Sequence, residues 1–144
     1  MVVLSITLFG LFFFSKEINN KETAEIQVGE NSMVVWIAQT TKERKSGLSG
    51  TESLGDVDGM LFLFPREERY RFWMRDMSFP IDIIYFNAEK EVVEIMSEIS
   101  PQTYPLKFTA QKPVKYVLEV KGGAVKEKGI MIGEKLTLPN NYYE

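Results

Sequence analysis

Apolar residues run unbroken by charge from Met1 to Phe14 (MVVLSITLFGLFFF), with only Ser5, Thr7 and Gly10 as breaks, and the chain turns polar at Ser15-Lys16-Glu17. A helix of that length spans roughly 21 Å, short of the roughly 30 Å hydrocarbon core, so the run is nearer to the apolar region of a signal peptide than to a spanning helix. It lacks a positively charged start and a small-x-small cleavage site after Phe14. An uncleaved anchor and a start codon placed too late both fit that pattern. A buried strand or helix of the domain itself is the competing reading, and it fits poorly, because so long a run followed by a polar linker is awkward in a small sheet. The expected segmentation is 1–15 as a hydrophobic signal or anchor, 16–23 as a polar linker and 24–144 as a single β-rich domain.

Beyond the linker the apolar positions come in short bursts separated by turn residues. Ala24 to Val28 and Met33 to Ala38 predict a hairpin across Gly29-Glu30-Asn31-Ser32. Thr40 followed by Glu43 is a capping box, and Gly47 can close the last turn, so Thr41 to Ser46 is expected as a short helix. Further strands are expected at Met60 to Phe64, Tyr70 to Met74, Ile81 to Phe86, Glu91 to Ile99, Tyr116 to Val120 and Lys135 to Leu138. Turns fall at Pro65, Pro80, Asn87, Pro101, Pro105 and Gly122-Gly123. Each strand must bury a face, so the sheet must close or stack. The expectation is a mainly β, compact barrel or sandwich-like domain with one or two short helices. An α+β fold is the alternative, if Pro101 to Val114 or Ala124 to Lys128 turns helical.

Charge and composition narrow the chemistry more than the fold. The net charge of −3, from 17 basic and 20 acidic residues mixed along the chain, gives no field of the kind that gathers nucleic acid. In Arg66-Glu67-Glu68-Arg69-Tyr70-Arg71 the two acids cancel most of the positive charge, so this run reads as a solvated turn. The absence of cysteine removes thiolate catalysis and disulfides, and the absence of histidine removes the imidazole base and His-ligated zinc. Gly55-Asp56-Val57-Asp58-Gly59 offers two carboxylates, too few for a calcium loop. Neither a metal nor a cofactor is expected.

The blocks Gly47-Leu48, Gly59-Met60-Leu61-Phe62-Leu63-Phe64, Phe72-Trp73-Met74-Arg75-Asp76 and Pro80-Ile81-Asp82-Ile83 follow one another in an order and spacing that resemble the family catalogued as domain of unknown function 192. Pro101, Tyr116-Val117-Leu118-Glu119, Gly122-Gly123, Gly129-Ile130 and Gly133-Glu134 continue the resemblance, which covers roughly Ala24 to Leu138. One departure is Met77-Ser78, where the family more often has a small hydroxyl residue and an aliphatic one. The resemblance implies a compact β-rich fold in a small bacterial or archaeal protein, often exported, and brings no catalytic residue with it.

Five residues stand out as candidate ligand contacts: Trp73, Arg75, Asp76, Asp82 and Glu119. A strand through Tyr70 to Arg75 puts Tyr70, Phe72 and Met74 on one face and Arg71, Trp73 and Arg75 on the other. The second face could stack a sugar or planar ring and pair with a carboxylate or phosphate, or it could be plain cation–π packing, which is the simpler reading. Glu119 shares a face with Val117, opposite Tyr116, Leu118 and Val120. It is an ordinary carboxylate if that face is solvated and a candidate acid or base if it lines a pocket. Asp82 has apolar neighbours on both faces, so it must be charge-paired, accept backbone N–H bonds or stay protonated; Arg75 is the nearest preceding cation, and a contact with it is expected, either fixing the hairpin or forming the charged floor of a pocket beneath Trp73.

The function expected is a non-catalytic binding or accessory module of the cell envelope, lying outside the cytoplasmic membrane as a secreted or anchored protein. Its partner would be a small molecule, a glycan or an envelope protein, not nucleic acid, with membrane contact through Met1–Phe14 only. The alternative is a carboxylate- and Arg-based hydrolase acting on envelope material, which requires Asp76, Asp82 and Glu119 to converge in one cleft. A structural or assembly protein with exposed aromatics is the plainest third option.

Overall fold

The computed structural model describes residues 21–142, and the apolar run at Met1–Phe14 lies outside them. The described chain is mainly β, as expected. Its order is β1 (Thr23–Val28), β2 (Asn31–Ala38), α1 (Thr41–Ser46), β3 (Gly59–Glu68), β4 (Arg71–Trp73), β5 (Ile81–Phe86), β6 (Val92–Ile99), β7 (Lys107–Thr109), β8 (Val114–Lys121), α2 (Ala124–Lys128) and β9 (Leu136–Thr137). Seven strands form one sheet in the order β6-β5-β8-β3-β2-β1-β9, and β4 pairs with β7 in a separate ribbon. All pairings are antiparallel except β2 with β3. A parallel pair needs a crossover, and α1 with the loop to Gly59 supplies it.

The sheet curls until its two ends meet. Val92 N–H donates to Glu134 O at 2.9 Å, Gly133 N–H to Val92 O at 2.8 Å and Leu136 N–H to Lys90 O at 2.8 Å, so the segment carrying β9 bridges the start of β6 as well as pairing with β1. Closure of this kind removes an edge that would otherwise invite pairing with other chains. Inside the curl lies one core, built from alternate residues such as Ile26, Val28, Met33, Val35, Ile84, Phe86, Leu118 and Val120 and closed by Val125 of α2. On the outer face of β3, β5 and β8 lies a second core of Met60, Phe62, Ile83, Tyr85 and Val117, covered by Phe72 and Met74 beside the ribbon and by Leu48 of the crossover. This two-sided burial explains the nearly continuous apolar run of β5, whose six residues are all buried.

Three expectations are corrected. The first hairpin turns through two residues, not four, because Gly29 takes a left-handed φ of 57° and lets Val28 pair with Asn31. β3 does not stop at Pro65 but runs to Glu68, with its register against β8 broken between Leu63 and Glu68, an irregularity that accommodates the missing proline N–H. Ala124–Lys128 is helical, and Lys107–Thr109 is a strand that the sequence pattern did not mark.

Candidate functional site

Only two charged residues among the described ones are buried, Asp82 and Glu119. They sit on neighbouring strands, where Asp82 stands opposite Val120 and Ile83 opposite Glu119. Side chains alternate across a sheet, so this one-residue offset sends the two carboxyls to opposite faces.

Asp82 points into the inner core side and is fully satisfied there. Its Oδ1 accepts N–H bonds from Glu98 at 2.7 Å and Gly123 at 3.1 Å, and its Oδ2 accepts one from Val125 at 2.9 Å. These donors lie where β6 slips register beside Asp82, at the turn after β8 and in the first turn of α2. Glu98 has a φ of 54° and Gly123 a φ of 89°, so Asp82 holds two left-handed turns in place. The contact expected between Arg75 and Asp82 does not form. Arg75 instead lies 3.6 Å from Asp76 and 5.3 Å from the centroid of Trp73.

Glu119 is also buried, with 5% of its surface exposed, but no hydrogen bond or ion pair to any described residue reaches its carboxyl. Burial without a partner pushes its pKa up to about 8. Tyr85, buried close by, has its phenol pushed up by its own burial and further by Glu119 and Glu94. The position of Glu119 is set from behind by Gly59 on β3, where a side chain's Cβ would stand 2.1 Å from the Glu119 carbonyl oxygen. Only glycine lets the two strands approach this closely.

The carboxyl opens into a cavity of about 550 Å³ between the sheet, the ribbon and α1. Phe62, Phe64, Tyr70 and Phe72 wall it, with Phe72 edge-on to Phe62 at 5.2 Å and Tyr70 stacked on Phe64 at 3.5 Å. The ribbon adds Trp73, 39% exposed, paired across strands with Lys107, whose Nζ lies 5.4 Å from the indole centroid. Arg44, Lys45, Arg71 and Arg75 complete the cationic lining. The crossover loop is latched to the far end of the ribbon's first strand: Ser49 Oγ donates to Arg75 O at 2.7 Å and Gly50 N–H to Asp76 O at 2.8 Å.

Of the five candidates, Trp73, Arg75 and Glu119 line this one cavity. Asp76 and Asp82 are not among its lining residues. Asp76 sits in a turn with a φ of 54° and an exposed side chain, a backbone role suited to a short polar residue. Asp82 is separated from the cavity by the sheet itself. Lys107, Arg44 and Lys45 escaped the sequence reading. The last-turn position of Arg44 and Lys45 followed from the capping box, whereas the short β7 between Pro105 and Pro113 gave Lys107 no periodic signal.

A family model, DUF192, described as "Uncharacterized ACR", matches residues 23–138. Two solved structures share the fold. A protein from Sinorhizobium meliloti 1021, provisionally named as a transcription regulator, aligns with a TM-score of 0.77 at 23% identity over 82% of this chain and 95% of its own. A protein of unknown function from Novosphingobium aromaticivorans DSM 12444 aligns with a TM-score of 0.76 at 29% identity over 84% of this chain and 89% of its own. No curated protein matches the chain.

Proposed function

The chain belongs to the DUF192 family, and we propose that in this member the domain is a ligand-binding module for a small molecule or glycan, displayed outside the cytoplasmic membrane. The observation that carries the binding reading is Glu119. A buried carboxyl with no partner among the described residues costs stability, and its place in an aromatic-walled cavity is where a ligand would supply the missing hydrogen bonds. The apolar run at Met1–Phe14 supports the location.

The hydrolase alternative has less support. A two-carboxylate glycosidase mechanism needs a second acid across the scissile bond, and Glu119 is the one carboxyl among the described residues lining the cavity. The provisional name of the Sinorhizobium protein stays with that protein, since 23% identity speaks for the fold alone.

Thermal unfolding of the folded protein against a panel of mono- and disaccharides, aromatic acids and nucleosides tests the binding reading. At least one class is expected to raise the midpoint by several degrees at saturating concentration. Trp73→Ala and Glu119→Leu should each abolish that rise while still unfolding cooperatively. A panel that shifts wild type and both variants alike would contradict a site at this cavity. For the location, fractionation of cells expressing the full chain with a C-terminal tag should place it with the membrane or outside it; wholly soluble cytoplasmic protein would contradict it.

A further inference from the structure

We infer that the ligand of this cavity is an acidic saccharide, a hydroxylated ring carrying a carboxylate or phosphate, with its hydroxyls on Glu119 and its anionic group among the cations of the rim. The inference rests on the reading of the cavity as a binding site and names the chemistry that fits it. Three independent features converge on that chemistry.

The first is charge. The chain as a whole carries −3, yet among the described residues five basic side chains and a single carboxyl line this cavity. Among the described residues Lys45, Arg71 and Lys107 have no carboxylate partner, and Arg75 holds only the exposed Asp76 at 3.6 Å. A mouth of one sign in an otherwise acidic protein concentrates anions and repels cations. A purely cationic ligand, which would pair with an ionised Glu119, is therefore disfavoured.

The second is the base of the cavity. Glu119 is buried in the lining of the cavity with no partner among the described residues, and that burial raises its pKa and favours the protonated form. A protonated carboxyl both donates and accepts, which matches a sugar hydroxyl, itself donor and acceptor. A flat aromatic acid would satisfy the rim and leave Glu119 orphaned.

The third is the wall. Aromatic faces beside polar groups suit the apolar C–H faces of a sugar ring, and a cavity of about 550 Å³ is within the range of small-ligand sites. The cations stacked on Trp73 leave their N–H groups available for an anion at the rim.

Calorimetric titration with four probes tests the inference: glucuronate, glucose 1-phosphate, glucose and benzoate. Glucuronate or glucose 1-phosphate should bind at millimolar concentration or below, and the stronger of the two identifies the anionic group. Glucose and benzoate should bind at least about tenfold more weakly. In Arg71→Gln/Lys107→Gln, two exposed positions outside the core, acid binding should weaken by about tenfold while glucose binding stays unchanged. Equal binding of glucose and glucuronate overturns the anionic requirement, and equal binding of benzoate overturns the hydroxyl requirement, with the cavity still a site in either case. If none of the four binds, the acidic-saccharide inference falls, and the broader thermal panel then decides separately whether the cavity binds anything.

Discussion

Asp82→Ala is expected to lower the unfolding free energy by about 3–5 kcal/mol, because it orphans three buried backbone N–H groups at once. Glu98, Gly123 and Val125 would each lose their acceptor. The first two hold left-handed backbone, and Val125 starts the helix that closes the inner core. Denaturant unfolding at matched pH measures the loss, with the denaturant slope unchanged if the folded state keeps its compactness. A loss below about 1 kcal/mol would mean that the three donors find other acceptors, contrary to the geometry.

Glu119→Gln is expected to act in the opposite direction. In the unfolded chain this carboxyl ionises at its ordinary value of about 4.5, whereas burial in the folded chain raises its pKa to about 8. Between those values the native state holds a proton that the unfolded state has released. Stability therefore falls as pH rises from about 4.5 to about 8 and levels off above the folded pKa. At about 1.4 kcal/mol per pH unit the cost near pH 7 is about 3 kcal/mol. The glutamine variant should recover most of it, unfolding several degrees higher than wild type near pH 8 and converging with it near pH 4.5. Its amide donates and accepts as the protonated carboxyl does, so this variant should keep ligand binding, whereas Glu119→Leu should lose it. Gain of stability near pH 8 with loss of binding, expected in Glu119→Leu, is the signature of a residue kept for function. Parallel stability–pH curves for the two proteins would remove the carboxyl from that role.

These two residues also mark where sequence reading stops. Alternation alone places Asp82 among apolar neighbours and Glu119 on the face of Val117, and both placements hold. Their meaning came from partners far along the chain. Asp82 is satisfied by N–H groups 16, 41 and 43 residues away, so the cation nearest in sequence, Arg75, was a poor guide to what meets it in space. Whether the Glu119 face is solvated depended on the β4–β7 ribbon and the crossover loop that cover it. Half of that ribbon, Lys107–Thr109, is too short to show a period. The capping box at Thr40 and Glu43, by contrast, is a local device, and it placed α1 at Thr41–Ser46 from the sequence alone. The family blocks did the same for the fold at large, because their order along the chain is itself sequence information.

The two buried carboxyls divide the labour of the sheet: one is bonded and structural, the other has no partner among the described residues and opens to the cavity, with its pKa pushed up by burial. Carbon-13 NMR titration of the Glu119 side-chain carboxyl, assigned by its disappearance in Glu119→Gln, tests that division most directly. The account predicts a midpoint near 8, shifting further when an acidic saccharide occupies the cavity. A midpoint in the ordinary carboxylate range around 4.5 would contradict it, since a carboxyl that ionises there is either solvated or already paired.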